Sequence, residues 1–318
     1  MIQLSSSPHI ASKIKTTHVM WAVVIALLPE TVWGVILFGI PALVTILASV
    51  ATAILSEFLF NLICKKRQSA FDGSAAITGL LLALVLPPTL PLWQTILGSF
   101  FAIIVAKQLF GGLGSNVWNP ALTGRAFLVA SFPAAMGNAW ITPLPDATSS
   151  ATILSTLKQA DAITSATPTG AASAIDYWQL FIGRQAGCIG ESSILLILIS
   201  ALFLIATKIV DWRTPVFMVG TFALLTWIGG ADVLAHLLSG GLVFGAVFMA
   251  TDYVTTPVTS YGRMIFGAGC GLLTFLIRKF GGYPEGVMFS ILIMNSITPF
   301  LNKLAPRKYG YKKEGGAK

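Results

Sequence analysis

Long apolar runs separated by short polar turns recur along almost the whole chain. They predict membrane-spanning helices, because about 20 apolar residues in a helix cross the hydrocarbon core of a bilayer. We predict about ten such helices in an all-α fold. They cover residues 19–38, 42–64, 74–87, 92–108, 119–136, 192–210, 214–229, 233–250, 264–279 and 285–302. The third is short and ends at Pro87 and Pro88, so we expect a tilted or broken helix there.

One polar stretch, residues 146–167, interrupts this pattern between two blocks of predicted helices. An aspartate followed six residues later by the threonine of a Ser-Ala-Thr sequence occurs twice in it, from Asp146 to Thr152 and from Asp161 to Thr167. Taken by itself, the pattern favours a flexible loop without chemistry. The alternative is a threonine hydroxyl that carries a phosphate ester, assisted by the aspartate.

Composition supports a polytopic membrane protein. Only 10% of the residues are charged and 55% are hydrophobic, with a mean hydropathy of +0.81, whereas soluble domains have roughly 25% charged residues. The net charge of +8 comes from short loops and the C-terminal tail. Membrane topology explains it better than an acidic partner does, and we expect no nucleic-acid partner.

The basic residues predict an orientation. With the N-terminus in the cytoplasm, most of them fall on the cytoplasmic side, including Lys65, Lys107 and Lys208. Four basic residues fall on the outer side: Lys158, Arg184, Arg278 and Lys279. Both termini are then cytoplasmic, and the polar stretch 146–167 lies on the outer face.

A short internal similarity favours two inverted five-helix repeats. Lys107–Gly112 resembles Arg278–Gly282, and each segment follows an apolar helix and precedes an Asn and a Pro. An inverted repeat places a binding site between its halves, although a match this short leaves coincidence as the alternative. The predicted division is a first membrane half (1–136), an outer loop with the attachment motif (137–190) and a second membrane half with a basic tail (191–318).

Carboxylates within apolar runs are candidates for an ion path, because a charge in hydrocarbon is costly and faces a polar interior. Glu30 and Glu57 lie deepest. For Asp232, Asp252 and Glu285, which lie near helix ends, capping or contact with interfacial water is the competing explanation. The segment 250–259 combines hydroxyls, a carboxylate and a proline, as broken-helix binding elements do. We assign no catalytic residue and no metal ligand, because the chain has no Ser/His/Asp set, no HExxH and no Cys/His spacing typical of metal sites.

Several longer motifs follow one another in a specific order. They are Ser7–Ile10, Phe71–Pro88, Lys107–Ala121, Gly187–Ser192 and Phe248–Asp252. Over essentially its whole length the chain resembles the family of the D subunit of the Rnf complex, a ferredoxin:NAD oxidoreductase. It resembles more distantly the B subunit of the sodium-pumping NADH:quinone reductase.

The resemblance implies an electron-transferring subunit of a redox-driven Na⁺ or H⁺ pump in the bacterial inner membrane. It implies FMN esterified by a flavin transferase to a threonine of the loop. Thr167, which Pro168 follows, fits the family motif best, and Thr152 is the rival acceptor; Asp161 and Asp146 would be their motif aspartates.

The resemblance also implies a second, non-covalent flavin such as riboflavin, for which we indicate the stretches 71–78 and 248–256. The implied partners are an outer-face flavoprotein and iron–sulfur subunits. Ion movement would follow a path lined by Glu57 or Asp252. Two alternatives stay open: a B-type subunit of a quinone reductase or related electron-export system, and a secondary transporter or channel without flavin.

Overall fold

The described part of the chain is helical. The computed structural model describes residues 16–66, 68–138, 140–143, 152, 154–156, 158, 177–283 and 285–304. No β-strand occurs in these ranges. The all-α fold expected from the apolar runs is therefore confirmed for this part of the chain.

Seven helices precede or flank the polar stretch. They are α1 (Thr16–Phe38), α2 (Ile40–Ile63), α3 (Ser74–Leu84), α4 (Leu92–Ile103), α5 (Pro120–Ser131), α6 (Pro133–Asn138) and α7 (Tyr177–Ile182). A π-helical turn, Ile104–Gln108, continues α4. Asn119 starts α5, because its side-chain oxygen accepts hydrogen bonds from the Ala121 and Leu122 amides at 3.1 and 3.3 Å.

Six further helices follow. They are α8 (Ile194–Ala206), α9 (Arg213–Ile228), α10 (Val233–Leu238), α11 (Leu242–Phe244), α12 (Ser260–Phe280) and α13 (Val287–Leu301). A second π-helical turn, Gly245–Met249, continues α11. Within the described ranges, α1, α2 and α12 are long and apolar enough to cross a membrane, and the other apolar helices are shorter. The protein is thus a multi-pass membrane protein, and the count of ten spans stays a prediction.

Two predicted helices are interrupted. The single helix predicted over 233–250 is wrong: the chain leaves helical geometry at Ser239–Gly241, where Gly240 adopts a left-handed φ of 72°. The helix predicted over 119–136 ends at Ser131, because Pro133 cannot donate the hydrogen bond that would continue it. The short third helix ends before Pro87, as expected.

Small residues let the helix backbones approach one another. A Cβ on Gly79 of α3 would lie 2.8 Å from the Val50 Cα of α2. A Cβ on Gly271 of α12 would lie 2.4 Å from the Met218 carbonyl oxygen of α9. Close packing of this kind is how helices associate in lipid, where the hydrophobic effect between them is weak.

Candidate functional site

A cavity with polar and aromatic walls lies beside the C-terminal half of α5. Its volume is about 500 Å³, and we name it the Arg125 cavity. Its wall includes polar, aromatic and apolar side chains: Arg125, Val129, Met136, Trp140, Thr152, Gln185, Glu191, Ser239, Tyr283, Glu285 and Phe289. A volume of this size is typical of small-molecule and cofactor sites.

Arg125 is held between two carboxylates. Its Nη2 donates to Glu285 Oε2 at 2.6 Å, and its Nη1 lies 3.4 Å from Glu191 Oε1. The guanidinium also contacts the Cys188 thiol at 3.5 Å. The Gly241 amide donates to the other oxygen of Glu285 at 3.1 Å. Arg125 thus has a carboxylate on each side, and Glu285 is held by two donors, the Arg125 guanidinium and the Gly241 amide.

The loop that positions Glu191 is fixed by close backbone contacts. The Gly190 amide donates to the Leu84 carbonyl at 2.7 Å, and a Cβ on Gly190 would lie 2.6 Å from the Leu84 Cβ. Gly183, with a left-handed φ of 99°, would place a Cβ 2.1 Å from the Ser192 carbonyl oxygen. Gly190 is therefore required where the loop packs against the end of α3, and Gly183 is required where it meets Ser192 within the loop.

Thr152 is part of the Arg125 cavity wall. Its carbonyl accepts the Ser155 hydroxyl at 2.6 Å, and its own hydroxyl accepts the Ser155 amide at 3.4 Å. The other three residues predicted for the attachment motifs, Thr167, Asp161 and Asp146, lie outside the described residues. The structure thus brings one of the two predicted acceptors to a cavity.

A second cavity, of about 90 Å³, lies at the N-terminal end of α5, and we name it the Asp252 cavity. Its lining combines the two stretches that the sequence indicates for a second flavin, with residues from 74–81 and from 247–254. Asn119 joins them: besides capping α5, its Nδ2 donates to the Met249 carbonyl at 3.3 Å. Asp252 accepts a hydrogen bond from the Thr255 hydroxyl at 3.1 Å.

Glu57 is buried next to this cavity and paired with a lysine. Lys107 Nζ lies 2.6 Å from Glu57 Oε2 and donates to Ser74 Oγ at 2.7 Å. The Ser69 hydroxyl donates to the second oxygen of Glu57 at 2.7 Å. Lys107, which we assigned to the cytoplasmic side from the distribution of basic residues, is therefore a buried partner of a carboxylate. The π-helical turn turns this side chain inward, and it is 2% exposed.

The other carboxylates singled out from the sequence have different surroundings in the structure. Asp232 caps α10 by accepting the Ala235 amide at 3.2 Å, which confirms capping. Glu285 is not simply interfacial, because it pairs with Arg125. Glu30 is buried within α1, 3% exposed. Arg125 was not predicted as a site residue, although an arginine within an apolar helix is itself a signal for an interior polar site.

Comparisons with known proteins agree with the resemblance that the sequence motifs indicate, and they cover nearly the whole chain. The model of the NQR2, RnfD, RnfE family matches residues 3–310. The chain belongs to this family. It is 43% identical to the D subunit of the proton-translocating ferredoxin:NAD(+) oxidoreductase complex of Clostridium ljungdahlii, over 98% of this chain and 96% of the relative.

Two further relatives have the same coverage pattern. The D subunit of the Na(+)-translocating ferredoxin:NAD(+) oxidoreductase complex of Acetobacterium woodii is 43% identical, over 98% of this chain and 96% of its own length. The D subunit of the ion-translocating oxidoreductase complex of Stutzerimonas stutzeri is 40% identical, over 94% of this chain and 93% of its own length. One of the two 43% relatives is described as proton-translocating and the other as sodium-translocating, so family membership leaves the ion open.

Proposed function

We propose that this chain is the D-type subunit of an Rnf-type, ion-translocating ferredoxin:NAD⁺ oxidoreductase complex. The support is the similarity to D subunits over nearly the full length of both chains. In this proposal the chain works in the bacterial inner membrane with an outer-face flavoprotein and iron–sulfur subunits. A B-type subunit of a quinone reductase is less favoured, because the similar proteins are D subunits.

We further propose that FMN is attached through its phosphate to Thr152. The observation that supports this is the place of Thr152 in the wall of a cavity of about 500 Å³, within the roughly 300–1,000 Å³ range of ligand sites. Trp140, Tyr283 and Phe289 give the cavity aromatic surface, and Arg125 and Gln185 give it polar side chains. This mixture fits an amphipathic, planar ring system.

The choice between the two threonines rests on different kinds of observation. The sequence motif favours Thr167, because of Pro168, whereas the place of Thr152 in the cavity wall supports Thr152; Thr167 lies outside the described residues. The geometry carries more weight, because an attached flavin needs a volume in which the ring is shielded from water. A flavin transferase would have to reach the loop before the ring enters the cavity.

FMN, when bound, supplies reversible electron acceptance, and the chain supplies position and electrostatics. The Arg125 guanidinium lies at the cavity wall, and the flanking carboxylates of Glu191 and Glu285 orient it. The loop anchored by Gly183 and Gly190 closes one side of the cavity. The ion pairs and the two glycines therefore fix the positions of the side chains and the loop that form the cavity wall.

A second flavin has weaker support. The two stretches indicated for it meet at the Asp252 cavity, but about 90 Å³ is below the roughly 300 Å³ at which ligand sites begin.

We propose that the helices form two inverted repeats with both termini in the cytoplasm. A similar contact in each half supports the two repeats. Lys107, at the end of α4, donates to Ser74 at the start of α3. Arg278, at the end of α12, donates to the Ser239 carbonyl shortly before α11 at 3.4 Å. In each half a buried cation thus bonds to a neighbouring short helix, at the first residue of α3 in one case and at the C-terminal end of α10 in the other.

Ion movement is assigned to the Asp252 cavity. Glu57 already has a cationic partner in Lys107. Asp252 lines the cavity, and a neutral hydroxyl, that of Thr255, donates a hydrogen bond to it. We therefore propose Asp252, with Glu57 as a supporting residue, for the ion path.

The experiment that tests the flavin proposal is in-gel fluorescence after denaturation, in cells that contain the flavin transferase. Thr152→Ala and Thr167→Ala are compared with the control Thr156→Ala, which changes a threonine outside both motifs. We expect Thr152→Ala to abolish covalent fluorescence and the other two variants to keep it. Loss in Thr167→Ala only would make Thr167 the acceptor. Fluorescence that survives both substitutions would contradict attachment at either threonine, and a wild-type chain without fluorescence would favour the flavin-free transporter.

A further inference from the structure

A third cavity, distinct from the Arg125 and Asp252 cavities, has an unusual concentration of positive charge. It has a volume of about 460 Å³ and lies at the ends of α9, α10 and α12; we name it the Arg278 cavity. Its basic and aromatic lining residues are Lys158, His236, Arg278, Lys279, Phe222, Phe275 and Phe280. Among the lining residues that the structure describes, none is an aspartate or glutamate.

Arg278 lines this cavity and has a buried side-chain nitrogen without an acceptor. The side chain is 6% exposed, its Nη1 donates to the His236 carbonyl at 2.7 Å, and its Nη2 donates to the Ser239 carbonyl at 3.4 Å. Its Nε is buried and has no hydrogen-bond partner within the described ranges. A buried donor left unsatisfied is costly, so an oxygen from a ligand would be favourable here.

The Arg278 guanidinium packs on the ring of Phe222, and two glutamates attract it from the side of the Arg125 cavity. Its carbon lies 4.9 Å from the centre of the Phe222 ring. Glu191 and Glu285 attract it electrostatically, but they line the Arg125 cavity, where they pair with Arg125. Within the Arg278 cavity itself, no described aspartate or glutamate lies among the lining residues beside Arg278.

Two lysines complete the positive lining. Lys279 lies in the last turn of α12, and its Nζ is 5.6 Å from the centre of the Phe275 ring. Lys158 donates to the carbonyls of Gly281 and Tyr283, the latter at 2.9 Å. Cations near helix C-termini also offset the helix dipole, which explains the position of Lys279. The helix dipole does not explain why Lys158, Arg278 and Lys279 surround one cavity.

We propose that the Arg278 cavity binds a phosphate group, with Arg278, Lys279 and Lys158 as its ligands. Phosphate offers several charged oxygens, and Arg and Lys are the residues that recognise it. The surrounding surface favours a lipid headgroup as the source. Trp227, Ile228 and Phe280 are 71%, 67% and 74% exposed, as expected where a helix end meets the membrane interface.

The test uses the purified full-length protein in a neutral detergent. Phosphatidylglycerol, phosphatidylcholine and inorganic phosphate are titrated separately, with binding followed by native mass spectrometry and by the thermal unfolding midpoint. The variants are Lys279→Gln and Lys158→Gln, which remove rim charges and leave the buried Arg278 in place. Arg184→Gln is the matched control, because Arg184 is exposed at the same end and does not line the cavity.

We expect phosphatidylglycerol to bind and stabilise the protein, and each lysine variant to weaken that binding about tenfold, since a charged hydrogen bond contributes about that factor. The control should bind as the wild type does. Equal protection by inorganic phosphate, lost in the same variants, would support the phosphate site and identify a soluble source. Equal binding of phosphatidylcholine and phosphatidylglycerol, or variants and control that behave alike, would overturn the proposal.

Discussion

Lys107 Nζ lies 2.6 Å from a carboxylate oxygen of Glu57, and the two side chains are 2% and 0% exposed. The lysine is near the end of α4 and the glutamate near the end of α2, 50 residues apart in sequence. Ser69 and Ser74 supply further hydrogen bonds to the pair. The pair therefore fixes the geometry of three helices around one buried charge contact, since Ser74 begins α3.

Removing one partner of this pair should be costly. Glu57→Gln or Lys107→Gln leaves a buried charge without its counter-ion, which typically costs about 3–5 kcal/mol. The double variant Glu57→Gln/Lys107→Gln should lose less than either single variant, because amides can hydrogen-bond to each other. The measurement is thermal unfolding in detergent, with Lys208→Gln, an exposed lysine, as control. Additive losses in the double variant would mean that the two side chains do not stabilise each other.

Asp252→Asn tests the proposed ion path. The amide has nearly the same size and can still accept the Thr255 hydroxyl, so we expect the protein to fold and keep its covalent flavin. Redox-driven ion transport in vesicles should fall at least about tenfold, because the negative charge that attracts the cation is lost.

Thr255→Val is a useful control for this experiment, since it removes the hydrogen-bond donor and keeps the carboxylate. Transport should remain closer to the wild-type rate in that variant. Undiminished transport in Asp252→Asn would remove Asp252 from the ion path, whatever the flavin content.

The glycines of the loop that positions Glu191 should differ sharply in tolerance. In Gly190→Ala the new Cβ would meet the Leu84 side chain at 2.6 Å, and we expect a loss of about 1–3 kcal/mol in unfolding free energy. In Gly187→Ala nothing lies within 4 Å of the new Cβ, so the change should stay within about 0.5 kcal/mol. Thermal unfolding of both variants is the measurement. Equal stability would show that the loop does not pack tightly against α3.

Sequence patterns predicted the helical segments well and the polar interior only in part. Apolar runs identify helices because lipid imposes the same requirement on every span. The break at Gly240 was missed because an apolar pattern continues on both sides of it. Local composition likewise gave no indication that Lys107 points inward, since the π-helical turn that redirects it has no marked sequence signal.

The same reason explains what was missed at the candidate site. Arg125 and Glu285 are 160 residues apart, and only the fold shows that their charges compensate each other. Motifs within a single segment, such as the one that ends at Thr152, were visible. The volume beside Thr152, formed by α5, the Gln185–Ser192 loop and the turn before α13, was not.

Both polar atoms of the Asn119 side-chain amide form hydrogen bonds. Its oxygen accepts from the first amides of α5, and its nitrogen donates to Met249 in the second π-helical turn. Aspartate could do the first but, when ionised, has no proton for the second. Leucine could do neither. A helix before the polar loop and a turn after it are therefore joined by one chemical group whose two faces cannot be exchanged. We therefore expect position 119 to tolerate fewer substitutions than its neighbours, although its side chain is uncharged.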